Sequence, residues 1–143
     1  VAIEVSDDDD LASFMQKLFS QAPGVIATAL EKVIAGDPGE PQDESQASYY
    51  GAIPDELRVI DWNSPAAHIY NQIRGLSAFV DPPGAFGTVD GVPARILKAR
   101  LMPDAGGDGH QPGSVIDRRA DGVVVQCGDG AVQLLYHEPV GTS

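Results

Sequence analysis

Apolar side chains in the first third of the chain recur at helical spacing. Leu11, Phe14, Met15, Leu18 and Phe19 fall at i, i+3, i+4, i+7 and i+8, which predicts a helix with one apolar face. The run Asp7-Asp8-Asp9-Asp10 stands directly before it, where carboxylates accept hydrogen bonds from free backbone N–H groups. A second pattern, Val25, Ile26, Ala29, Leu30, Val33 and Ile34, predicts another helix with Pro23 in its first turn and Gly36 at its end. Two short helices cannot bury these faces against each other, so they look like a piece of a larger layer. From Asp37 to Pro54 the chain turns to Asp, Pro, Gly, Glu, Gln and Ser, the composition of a linker, and Tyr49-Tyr50 reads as a docking anchor at its end. Ser64 and Pro65 then form a helix start, with Ala66, Ile69, Tyr70 and Ile73 on the buried face and Gly75 as a left-handed terminator.

Beyond Pro82 the period changes to that of strands. Five segments are predicted, at 85–89, 94–101, 114–117, 122–127 and 131–137, with Asp90-Gly91 as a hairpin turn and Cys127-Gly128-Asp129-Gly130 as another. So many short strands in so few residues are enough for a small barrel or curled sheet, and the glycine-rich 103–113 stretch reads as a mobile loop.

Charge narrows the function. The 143 residues carry a net charge of −12, with ten acids against two bases over residues 1–49 and eleven against seven over residues 50–143. Neither half offers the positive field with which a protein neutralises nucleic-acid phosphates, although Arg95, Lys98, Arg100, Arg118 and Arg119 could gather into a local patch. There is no long apolar run for a membrane span and no secretion signal, and the single Cys127 fits a reducing compartment; the cytoplasm is the expected location.

Candidate chemistry is sparse. His68, His110 and His137 have no paired metal-ligand spacing, and the aspartate run lacks the alternating oxygens and central glycine of a calcium loop. Cys127 sits in an apolar strand and reads as a small buried side chain. Gly106-Gly107-Asp108-Gly109 lacks the Lys-Ser/Thr and strand-to-helix setting of a phosphate loop. Asp61-Trp62, an acid and an indole before a capped helix, reads as a structural clamp rather than a substrate contact.

Tyr49-Tyr50-Gly51, Pro54-Asp55, Ile60-Asp61-Trp62, the Pro65-Ala66 helix ending Ile73-Arg74, Pro83-Gly84-Ala85-Phe86 and Cys127-Gly128-Asp129-Gly130-Ala131 together resemble the linker and C-terminal domain of methionyl-tRNA-formyltransferase-like enzymes. The acidic opening, the helical segments and Gly36 resemble the end of the catalytic domain of that family, so the resemblance spans nearly the whole chain. It implies an α+β chain: residues 1–36 as two helices from the edge of an α/β formyltransferase domain, 37–59 as linker, and 60–143 as a helix with a small OB-like β-barrel. It also implies a parent enzyme that moves a formyl group from 10-formyltetrahydrofolate to an amine, with the catalytic asparagine, histidine and aspartate on an upstream domain.

No residue here matches those catalytic positions; Asn63, Asn71, the histidines and the aspartates are not promoted into the roles, and no catalytic, cofactor-binding or metal residue is assigned. The acidic charge favours a small-molecule or carrier-bound amine as substrate, with the missing upstream catalytic domain as partner. Two alternatives stand beside this reading: a tRNA-binding OB domain of a methionyl-tRNA formyltransferase, and a protein interaction module using Tyr49, Tyr50 and the faces of the first helices.

Overall fold

The computed structural model describes residues 2–49, 51–78, 80–107 and 109–140. The chain divides into two units, residues 1–52 and 53–143.

The first unit is built on one helix, α1 (Leu11–Ile34), where two were expected. Pro23 lies inside it. A proline there removes one backbone donor, the one that would reach the Phe19 carbonyl. Phe19 is exposed, so water can take the donor's place and the helix continues through. Its predicted ends are correct. Asp10 is the N-cap and accepts from the Ser13 N–H at 2.8 Å, while the Ser13 hydroxyl accepts from the Asp10 N–H at 3.1 Å, a reciprocal capping box. Asp9 accepts from the Ser6 N–H and hydroxyl, the Ser13 hydroxyl and Lys17 Nζ, which together hold its carboxyl well below the usual carboxylate range, the Lys17 contact most strongly. Gly36, at φ +79°, ends the helix: its N–H bonds the Val33 carbonyl and that of Asp37 bonds Lys32. No residue of α1 is buried, and Phe19, Ile26, Leu30 and Val33 stand exposed along its length. Tyr49 of the expected anchor pair is exposed in this unit, and Tyr50 falls outside the described residues.

The second unit packs α2 (Ala66–Gly75) on a five-stranded antiparallel sheet of β1 (Ala85–Val89), β2 (Val92–Met102), β3 (Val115–Arg119), β4 (Gly122–Gln126) and β5 (Ala131–Pro139), in the order β1-β2-β5-β4-β3. Ala66, Ile69 and Ile73 of α2 join Ile96, Val125, Val132 and Leu134 of the sheet in the core. Tyr70, expected on the buried face, packs at its margin. The Asp90-Gly91 turn is as expected, with φ +48° and +79° at its two central residues.

Of the small barrel and the curled sheet that the strand count allowed, the described residues form a sheet that does not close into the OB-like barrel the resemblance implied. Among the described residues no ladder joins β1 to β3, so the sheet is open. A side chain spans the gap instead: Asp90, after β1, accepts from the Val115 N–H of β3 at 2.8 Å and from Arg118 Nη2 at 2.9 Å.

Both expected caps of α2 are replaced by tertiary contacts. Ser64 does not cap the helix; Pro65 occupies the N-cap position without a side-chain hydrogen bond, and the Ala66 N–H donates to the Asp129 carbonyl of the β4–β5 turn at 2.8 Å. Gly75 is the last helical residue rather than a left-handed terminator, and Leu76 follows at φ −100°, its carbonyl bonded by the Gly84 N–H at 2.7 Å. The 103–113 loop, expected to be mobile, is tied to β4. Gln126 accepts from the Gly107 N–H through Oε1 at 3.3 Å, and its carbonyl accepts from Gly113 at 2.9 Å.

Candidate functional site

The five bases that could gather into a local patch are mostly committed to acids. Arg95 pairs with Glu138, Arg100 with Asp121 at 3.4 Å, Arg118 with Asp90 at 2.9 Å and Arg119 with Asp117 at 2.9 Å. Lys98 alone of the five has no ion pair among the described residues. Such exposed pairs add little to stability, yet a phosphate would have to displace each carboxylate to use its arginine. Gln133, fully buried on β5, strengthens one of them: its Oε1 accepts from Arg100 at 3.1 Å and its Nε2 donates to Asp121 at 2.6 Å. That donation is the main reason the Asp121 carboxyl lies below the usual range.

The histidines do not converge. His68 lies on the outer side of α2, His110 in the glycine-rich loop and His137 on β5, each lining a different cavity. Among the described residues there is no group of three or more His, Cys, Asp or Glu able to hold a metal ion. Cys127 is buried, and burial pushes its thiol up to about 11, away from nucleophilic use at neutral pH.

Of the pair Asp61-Trp62, the indole packs against Gly87 and Gly113, while the Asp61 carboxylate bonds within its own turn. Asp61 Oδ1 accepts from the Asn63 amide side chain at 2.8 Å and from its N–H at 3.0 Å, which lowers the Asp61 carboxyl. The Trp62 ring fills the space left by two glycines: a Cβ on Gly87 would lie 3.3 Å from it and one on Gly113 2.9 Å. Trp62 Nε1 is buried without a hydrogen-bond partner.

Sequence reasoning passed over Arg58. Its guanidinium is buried, donates to the Asp81 carbonyl at 3.2 Å and to the Pro82 carbonyl, and lies 5.2 Å from the Phe86 ring centroid. It fastens the segment before α2 to the segment after it. An arginine in a run of acids and aliphatics carries no local mark of this role.

A groove of about 510 Å³ runs along the outer side of α2. Ile53, Leu57 and Val59 form its apolar wall, Glu56 and Asp61 its acidic rim, and Gln72 faces them from the helix. Gln72 Nε2 donates to the Leu57 carbonyl at 2.8 Å and the Val59 carbonyl at 3.1 Å, which fixes the wall's backbone against α2.

Comparison with known proteins places this arrangement. Residues 52–142 match the family model described as "Formyl transferase, C-terminal domain". The chain is 33% identical over 142 residues to the methionyl-tRNA formyltransferase of Caldanaerobacter subterraneus subsp. tengcongensis, covering 99% of this chain and 44% of that protein. It is likewise 33% identical to the methionyl-tRNA formyltransferase of Trichlorobacter lovleyi, over 94% of this chain and 40% of the relative. Among solved structures, a variant of HypX from Aquifex aeolicus superposes with a TM-score of 0.72 at 22% identity, over 90% of this chain and 23% of that one. HypX in complex with tetrahydrofolic acid gives 0.64 at 23%, and at such identities the likeness is one of fold. The chain thus spans less than half the length of the relatives it matches. It belongs to the formyltransferase family and carries that family's C-terminal domain.

Proposed function

We propose that this chain is the C-terminal part of a cytoplasmic enzyme that transfers a formyl group from 10-formyltetrahydrofolate to a small-molecule or carrier-bound amine. The chemistry belongs to an upstream catalytic region, and the residues described above serve support and substrate framing. On this reading residues 1–36 close the catalytic domain, 37–59 link, and 60–143 form an OB-type module whose seam is bridged by Asp90. The family match and the folate complex of a structural neighbour support the reaction class.

The observation that carries the choice of substrate is the pairing of Arg95, Arg100, Arg118 and Arg119 with acids of the same unit. A domain that holds tRNA keeps such groups available for phosphate. The second reading, a tRNA-binding domain, draws support from the names of the relatives, which are methionyl-tRNA formyltransferases.

Titration of the chain with tRNA at several salt concentrations separates the two. Weak retention that does not depend on salt is expected; micromolar affinity falling steeply with salt would overturn the small-amine reading. In a formyl-transfer assay with 10-formyltetrahydrofolate the chain alone should show no turnover.

A further inference from the structure

We infer that the cavity at the open seam of the sheet, beside the Asp90 bridge, is a binding site for a small carboxylate that carries a single ring or a branched alkyl group. The site goes beyond formyl transfer and needs nothing from an upstream region, because all its residues lie in the second unit. The cavity measures about 210 Å³, and every strand contributes to it: Val89 from β1, Ala94 from β2, Val115 and Arg118 from β3, Val123 from β4 and His137 from β5. The mouth of a barrel-like sheet is a recurrent place for ligands, and this volume, below the roughly 300 Å³ at which drug-sized pockets begin, suits one ring with one head group.

The wall is apolar and continuous with the core. Val89 and Ala94 belong to the core, and Val115 and Val123 pack against it. Valine and alanine side chains are short, and where β1 and β3 do not pair they leave the inner face of the sheet unfilled.

The polar groups decide the head group. Both oxygens of Asp90 are occupied, Oδ1 by the Val115 N–H at 2.8 Å and Oδ2 by Arg118 Nη2 at 2.9 Å, so this acid has little left to offer an amine. His137 is the reverse case. It is half-buried in the same cavity and has no hydrogen bond among the described residues, and an imidazole in either tautomer carries an N–H that needs an acceptor. The Arg118 guanidinium places positive charge at the rim while it stays paired with Asp90. An apolar ligand ending in a carboxylate covers the valines and supplies the missing acceptor. A phosphate chain would have to displace Asp90 to reach Arg118, whereas a carboxylate held by His137 leaves that pair intact.

Titration of the isotope-labelled 143-residue chain with benzoate, followed in its amide and imidazole resonances, tests the site. Benzoate should give saturable shifts at Val89, Ala94, Val115 and the His137 ring, and benzylamine should bind at least about tenfold more weakly. The chain's net charge of −12 works against benzoate and for benzylamine elsewhere on the surface, so that preference requires a local arrangement. His137→Phe keeps a ring and removes the N–H, and should weaken benzoate about tenfold; His137→Gln restores a donor and should regain part of the affinity. The amide spectrum and melting temperature of each variant serve as folding controls, and the imidazole nitrogen shifts of the unaltered chain decide the point if both variants unfold. Shifts that do not saturate, that fall outside the cavity, that leave the His137 ring unmoved or that benzylamine matches overturn the inference. Undiminished benzoate binding in a folded His137→Phe overturns it as well.

Discussion

Gly128 lies against the backbone of Asn63 so closely that a Cβ at position 128 would fall 1.9 Å from the Asn63 carbonyl oxygen. The contact brings the β4–β5 turn up to the segment that enters α2, beside the hydrogen bond from the Gly128 N–H to the Ser64 carbonyl at 3.0 Å. Gly128→Ala should destabilise the second unit by about 2–4 kcal/mol, because backbone rather than a flexible side chain must move. Gly107→Ala meets nothing within 4 Å and should be neutral to within about 0.5 kcal/mol. Urea unfolding of the two variants checks the contrast.

Removing Arg58 strips the Asp81 and Pro82 carbonyls of a charged donor and the Phe86 ring of its cation. Arg58→Ala should cost about 2–4 kcal/mol, and Arg58→Lys should recover only part of that, since an ammonium group cannot reproduce the planar fork. Chemical denaturation of both variants measures the difference.

Cys127 should be unreactive toward a thiol reagent at pH 8 in the folded protein, as burial holds its thiol near 11. Labelling should rise with the unfolded fraction across a urea series. Rapid labelling in native buffer would contradict the burial.

Acid should weaken the second unit through Asp61 and Asp121. Both carboxyls lie below their ordinary value of 3.8 in the folded protein, Asp61 mainly through the Asn63 amide and Asp121 mainly through Gln133. The folded state then holds these protons less tightly than the unfolded state. Their contribution is complete above that ordinary value and is lost as pH falls through the lowered ones. The urea midpoint should therefore drop as pH falls below about 4. The drop should be smaller in Asp61→Asn, whose side chain does not titrate there.

The strands were readable because their signals are local. Ala85–Val89 ends at an Asp-Gly pair that a tight hairpin favours, and β1 has those bounds. The ends of α1 were likewise written in Asp10 and Gly36, while Pro23 misled because a lost hydrogen bond at an exposed carbonyl is too small a penalty to break a helix. What stayed hidden depends on partners far along the chain. Arg58 finds its carbonyls at Asp81 and Pro82, and Ala66 its cap at Asp129. The arginines of the supposed patch meet Asp90, Asp121 and Glu138 across strands and turns, while Arg119 meets Asp117 within β3. The groove had one trace in the sequence, the aliphatics Ile53, Leu57 and Val59 in a stretch otherwise read as linker.

An open sheet has rims, and a rim of unpaired backbone invites a strand from a neighbouring molecule. Here Asp90 occupies the Val115 N–H at the start of β3, and the rest of that strand presents Asp117, Arg118 and Arg119 to solvent. A foreign strand laid along it would meet charged side chains and a donor already taken. The same carboxylate that spans the seam therefore guards the protein against edge-to-edge aggregation, and Asp90→Ala should show its effect first as turbidity in concentrated solution.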